Sequence, residues 1–296
     1  MKYYYELTKS GLVLGNLVTV VAGFLFGARV LHGTIGTLAI NWWLFAATII
    51  GITLVMASGC VFNNYVDRDI DIKMDRTKHR ALVKEHVSGS GALVFSIAIG
   101  AIGFLILALF TNIFATLAAV TGFIFYVFAY TLWGKRNSVY GTFIGAIAGA
   151  TPPVVGYAAA SGQIDVAAAI LFLIMLAWQM PHFFAIAIRR HEDYAAAGIP
   201  VMPVKHGLRR TKFSMLIYII EFMLAVSLLF VFGYMGAAYL VIALALGFVW
   251  LVLGLRGFWI NDSMSDANRR WARNMFFLSV IVMVLLFITI AVAAIA

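Results

Sequence analysis

Apolar positions in this chain follow neither the alternation of a half-buried strand nor the stripe of an amphipathic helix. They run on for about 18 to 25 residues at a time, as in "GLVLGNLVTVVAGFLFGA", which is the pattern of helices surrounded by lipid. Such runs are centred on residues 11–31, 38–62, 90–110, 113–133, 138–160, 164–187, 213–233, 236–255 and 273–296. The expected fold is therefore all-α: a polytopic membrane protein with nine transmembrane helices, forming a single transmembrane domain over residues 1–296.

Composition agrees, since 64% of the 296 residues are hydrophobic and only 11% charged, too few to coat a soluble fold. The net charge of +9 would suggest nucleic acid in a soluble protein, but its placement carries a different meaning. With a crossing at every run, 20 of the 21 Lys and Arg fall on one side, and Arg29 alone on the other. By the positive-inside rule the N-terminus and the long loops are cytoplasmic and the C-terminus lies outside, so no nucleic-acid partner is needed. The first run follows Lys2 and Lys9, is about 20 residues long and lacks a small-x-small cleavage site, so it reads as a retained helix. Cys60 is the single cysteine, sits in an apolar run and reads as packing.

Connections on the outer side are short and neutral, whereas residues 63–89 and 188–212 form two long charged loops, after the second and sixth helices. The active surface is expected on the cytoplasmic side. Within the fifth span Gly141, Gly145 and Gly149 recur at intervals of four, giving a smooth face for close helix packing, and the Pro152–Pro153 pair should kink the helix near Thr151.

The first loop opens with "NNYVDRDIDIKMDRTKHR", Asn63 to Arg80, four aspartates among five Lys and Arg. Asn63, Asp67, Asp71 and Asp75 recur every four residues. On a helix each such step overshoots one turn by about 40°, so two or three of them converge on one ion while the first and last diverge. Carboxylates with an amide oxygen are the hard donors that Mg²⁺ accepts, usually with phosphate oxygens as further ligands, so the chemistry indicated is diphosphate handling. The alternative is a solvated loop whose acids balance its bases. Arg76, Lys78 and Arg80 are candidates for the anionic oxygens, or else anchors at the membrane surface. Asp69 points off the Asp67/Asp71 face, as a partner for Arg68 or Lys73.

The second loop reads "WQMPHFFAIAIRRHEDYAAAGIPVMP". Asp193 is its candidate metal ligand, with Arg189 and Arg190 as diphosphate contacts. Lys135 and Arg136 add a third basic spot on the same face. Asn16, His182 and Tyr194 are candidates for contact with an acceptor or for support behind the site, and His182 reads equally as a hydrogen-bonded histidine at a helix end. Glu221, inside the seventh span, is either functional or a buried, neutral structural group.

"NNYVDRDIDIKMDRT" resembles the N-x-x-x-D-x-x-x-D motif of the UbiA-type intramembrane prenyltransferases. The segments "ELTKSGLVLGNLVTVVAGF", "DRDIDIKMDRTKHRAL", "GAIAGATPPVVGY" and "WQMPHFFAIAIRRHEDYAAAGIPVMPV" are similar to the branch of that family that farnesylates haem. The resemblance spans essentially the whole chain. It implies a nine-helix bundle in the bacterial inner membrane, Mg²⁺ held by Asn63, Asp67, Asp71 and Asp193, and farnesyl diphosphate as donor. Haem B would be the acceptor, receiving farnesyl and water at its 2-vinyl group to give haem O, and a haem A synthase or terminal oxidase a partner. Arg76, Lys78, Arg80, Lys135, Arg136 and Arg189 would bind diphosphate. Three positions depart from the family pattern. Ala197 stands where a second acid is usual, leaving Asp75 or Glu192 as substitutes; Ser10 replaces a proline after Thr8-Lys9; and "HRAL" lacks the proline usual after Arg80. Other readings are a prenyltransferase acting on a quinone precursor, and a transporter, although a transporter would place its charges at mid-membrane in paired broken helices.

Overall fold

The computed structural model describes residues 2–32 and 40–295. Among these, nine helices are long and apolar enough to cross a membrane: α1 (Ser10–Leu31), α2 (Trp42–Val66), α3 (Gly89–Phe110), α4 (Ile113–Asn137), α5 (Gly141–Ser161), α6 (Val166–Arg189), α7 (Met202–Val231), α8 (Ala237–Trp259) and α9 (Asp266–Ile295). All nine expected spans are present. The expected start of the second at 38 and end of the ninth at 296 lie outside the described residues. α7 and α9 begin earlier than the apolar runs, because their first turns carry bases: Lys205, Arg209 and Arg210 in α7, Arg269, Arg270 and Arg273 in α9. Gly207, at φ 77°, bends α7 after its first turns.

α5 is the hub. It breaks at Ala150, and Pro152 and Pro153 occupy the first turn of its second half, where a missing N–H leaves no helical bond unmade. α1 lies against this half so closely that a Cβ on Gly23 would overlap the Pro153 carbonyl, and one on Gly156 the Val20 carbonyl. The glycine face read in the first half is also used: Gly145 abuts the Tyr130 ring at 3.0 Å from a built Cβ, and Gly149 the Gln179 amide. α4 is wound as a π-helix from Phe125 to Gly134, an irregular turn common at functional sites, and this sets Tyr126, Tyr130 and Thr131 toward the interior.

The two charged loops dock on each other. Ile70 and Met74 from the first bury against Ile199 from the second, with Tyr194, Ala197 and Val201 packed around them. Ala197 therefore serves as packing where the family pattern has an acid. Glu221 does not face the bundle interior: it is exposed on the outer surface of α7.

Candidate active site

Asn63 is in the last turn of α2, Asp67 caps it, and Arg68–Asp71 forms one further helical turn. Helical geometry thus persists through Asp71, and the fourfold spacing puts three side chains on one buried face: they are 4%, 0% and 1% exposed. The chain then leaves the helix at Ile72, so Asp75 swings out to solvent and pairs with Lys78 at 2.6 Å.

Cations from distant segments close on this face. Lys135 Nζ donates to Asp67 Oδ2 at 2.5 Å, Arg80 to Asp71 Oδ2 at 2.6 Å, and Lys9 Nζ to Asn63 Oδ1 at 2.6 Å. Asn63 Nδ2 donates to Asp67 Oδ2 at 2.8 Å, fixing its amide so that the oxygen faces Lys9. Lys9 is a residue the sequence reading passed over. It turns the chain between a short N-terminal helix, Lys2–Leu7, and α1, in the left-handed region at φ 52°, which is unusual for a non-glycine and aims the side chain inward. Burial pushes its ammonium down to about 8. Its signal in the sequence was the Thr8-Lys9-Ser10 segment itself.

Asp67 Oδ1 and Asp71 Oδ1 are buried with no hydrogen-bond partner. Arg136 stands 3.6 Å from the first of these oxygens, too far for a hydrogen bond. Buried carboxylate oxygens without a hydrogen bond are costly, and two of them beside an amide oxygen are the donor set a hard divalent cation satisfies. The residues present therefore fit Mg²⁺.

Above this face is a polar pocket of about 270 Å³, lined by Lys9, Arg76, Arg80 and Lys135, by Tyr126 and Tyr130 of α4, and by Tyr194. It shares Leu12, Tyr126, Gly145 and Phe183 with a deeper apolar cavity of about 420 Å³ that Asn16 and His182 line. Tyr126 and Tyr130 were missed because two aromatics in an apolar helix look like packing.

Several expected contacts are held elsewhere. Arg136 is bidentate to Asp69 at 2.7 Å and lies 3.6 Å from Asp67, so Asp69 pairs with neither Arg68 nor Lys73. The hydrogen bonds from Arg136 hold the Asp69 carboxyl below its usual range. Lys78 belongs to Asp75, and Arg189 stacks on Phe276 at 5.1 Å, outside the polar pocket. Asp193 accepts from the Asp75 backbone N–H at 3.0 Å, tying loop to loop, and Arg190 stands 3.9 Å from its other oxygen. Neither proposed substitute acid reaches the site: Glu192 pairs with Arg269, and Asp75 is exposed. Asp69→Ala should change turnover less than about threefold, since an exposed pair contributes under about 1 kcal/mol; steady-state kinetics checks this.

A charged pocket beside an apolar cavity, among the nine membrane-length helices of the described residues, is an arrangement that suits an amphiphile with an anionic head. The profile of the UbiA prenyltransferase family matches residues 15–294, and the chain belongs to that family. It is 46% identical over 290 residues to the protoheme IX farnesyltransferase of Marinomonas sp. (strain MWYL1), covering 98% of this chain and 94% of that one. The protein of the same name from Protochlamydia amoebophila (strain UWE25) is also 46% identical, over 98% of each chain. Among solved structures, a digeranylgeranylglyceryl phosphate synthase superimposes with TM-score 0.79 at 19% identity, over 99% of this chain and 98% of that one. A UbiA homolog from Archaeoglobus fulgidus bound to GPP and Mg²⁺ superimposes with TM-score 0.70 at 18% identity, over 99% of both chains.

Proposed function

We propose that this chain transfers the farnesyl group of farnesyl diphosphate to the 2-vinyl group of haem B, with addition of water, giving haem O and diphosphate. The observation that carries the reading is the adjacency of the two cavities: the cationic pocket and the apolar cavity share a wall made of Leu12, Tyr126, Gly145 and Phe183 inside the bundle. Haem as acceptor is supported by relatives of that name at 46% identity. The membrane is the bacterial cytoplasmic membrane, with the charged loops inside, and a haem A synthase or terminal oxidase uses the product.

Asn63, Asp67 and Asp71 would hold Mg²⁺, with Asp193 the remaining candidate on the second loop. Bound there, Mg²⁺ supplies charge neutralisation that makes diphosphate a good leaving group. Arg76 and Arg80 bind the diphosphate oxygens, and Lys135 and Lys9 bring two further ammonium charges to the same oxygens. As the allylic C–O bond breaks, negative charge grows on the head and positive charge on the farnesyl C1. Tyr126, Tyr130 and Phe183 wall the reacting carbon from water until the vinyl carbon has bonded to it. Water then adds to the vinyl-derived cation and loses a proton, leaving a hydroxyl.

The test is to incubate purified protein in detergent with haem B, farnesyl diphosphate and Mg²⁺ and to search by mass spectrometry for haem carrying one farnesyl and one water. Product that disappears with EDTA supports the reading. Prenylation of a quinone precursor in place of haem overturns the acceptor, and no transfer to any acceptor overturns the reaction.

Lys9→Met should raise KM for farnesyl diphosphate about tenfold or more, as expected when one charge-assisted contact to an anion is lost, with a smaller change in KM for haem. Initial rates with each substrate varied in turn check this; an unchanged KM for the diphosphate excludes Lys9 from the pocket's function.

A further inference from the structure

His182 is on α6 and lines the apolar cavity, one residue before Phe183, which both cavities share. Its imidazole stacks on Trp178 at 4.8 Å and lies tilted against Phe276 of α9 at 4.9 Å, and the two rings fix its plane. Nδ1 lies 2.7 Å from Ser279 Oγ. That hydroxyl has one proton, and it is donated to the Phe276 carbonyl at 2.6 Å, so the serine accepts from the ring and Nδ1 carries the hydrogen. The other nitrogen, Nε2, is left with its lone pair free and has no hydrogen-bond partner among the described residues. An oriented neutral imidazole, tautomer fixed by a bond at one nitrogen and open at the other, is the arrangement of a metal-ligating histidine. A merely structural histidine of this kind would need only the Nδ1 bond and the stacking.

Arg189 lies seven residues along α6, on the same face about 10 Å nearer the charged end. Its guanidinium covers the Phe276 ring at 5.1 Å, and neither it nor Arg273 of α9 has a carboxylate partner among the described residues. Imidazole, aromatic face and unpaired guanidinium thus form one ladder between α6 and α9.

We propose that this ladder is the haem seat: Nε2 of His182 donates its lone pair to the haem iron, and Arg189 with Arg273 receives the propionates. The proposal rests on the haem reading above. A dative bond at the iron alone would let the porphyrin spin about it; with the propionates also anchored, the in-plane orientation is set, and with it which vinyl group meets the farnesyl carbon. Ligation transfers no electron from protein to iron and leaves the porphyrin periphery free to react.

Ferric haem is titrated into the purified full chain in detergent and followed by absorbance and electron paramagnetic resonance. Wild-type protein should show imidazole-ligated haem. His182→Ala should lose that signature and regain it on addition of free imidazole, His182→Cys should replace it with a thiolate signature, and His206→Ala, at an exposed position, should leave it intact. Arg189→Ala should weaken haem affinity about tenfold without changing the ligand signature. An identical spectrum for haem-loaded wild type and His182→Cys overturns the ligation while leaving the reaction in place, as does wild-type protein that forms product with no imidazole-ligated haem at saturation. Absence of both haem binding and farnesylated haem overturns the acceptor reading itself.

Discussion

Asp67→Ala and Asp71→Ala should each lower turnover about 10³-fold or more while the protein remains inserted in the membrane. Two causes are separable. Asp67 is wholly buried against the Lys135 ammonium, and removing one partner of a buried pair costs about 3–5 kcal/mol because the other charge is left without compensation. Asp71 pairs with Arg80, whose side chain is 27% exposed, so its loss should cost the fold less. If Asp67 served only to neutralise Lys135, the double variant Asp67→Ala/Lys135→Met would match Lys135→Met alone in both stability and activity. If Asp67 holds Mg²⁺, the double variant matches Lys135→Met in stability but falls far below it in turnover, since Oδ1 of Asp67, which has no hydrogen-bond partner, is still missing. Thermal melting and EDTA-sensitive turnover measured side by side decide between the two. Retention of Mg²⁺-dependent activity within tenfold of wild type in either single variant would remove the metal assignment.

Gly23→Val and Gly156→Val should each destabilise the bundle by about 1–3 kcal/mol or prevent its accumulation. Each added Cβ would occupy the position of a backbone carbonyl on the facing helix, of Pro153 and of Val20 respectively. A side chain in the way can change rotamer, but a carbonyl inside a helix cannot move without breaking the helix, so α1 and α5 must separate. Both helices line the apolar cavity, and activity should fall with the folded fraction. Gly236→Ala is the control, for nothing lies within 4 Å of its built Cβ, and its effect should be within about 0.5 kcal/mol. Normal melting temperatures for the two valine variants would refute the packing argument.

What was legible in the sequence depended on interactions between near neighbours. The spans were readable because a helix in lipid must be apolar on every side over a fixed length. The Asn63/Asp67/Asp71 face was readable because helical periodicity alone aligns residues four apart. The same rule failed at Asp75, where the helix ends at Ile72, and at α7 and α9, whose charged first turns do not contrast with a loop. Partnerships were not readable. Lys9 meets Asn63 across 54 positions, Lys135 meets Asp67 across 68, and Arg136 chooses Asp69 over the site. Arg189, which reads as one more diphosphate base, lies on an aromatic ring of the last helix.

The sequence by itself determined the solvent, the helix count and the local face that carries the acids, because each is set by residues within one or two turns of one another. Only the tertiary structure decided which cations face those acids, that the polar pocket adjoins an apolar cavity, and that His182 keeps one nitrogen open. Those depend on how closely α1, α4, α5 and α9 approach, and that approach is governed by single glycines, a break at Ala150 and a π-helical turn, whose partners lie far along the chain.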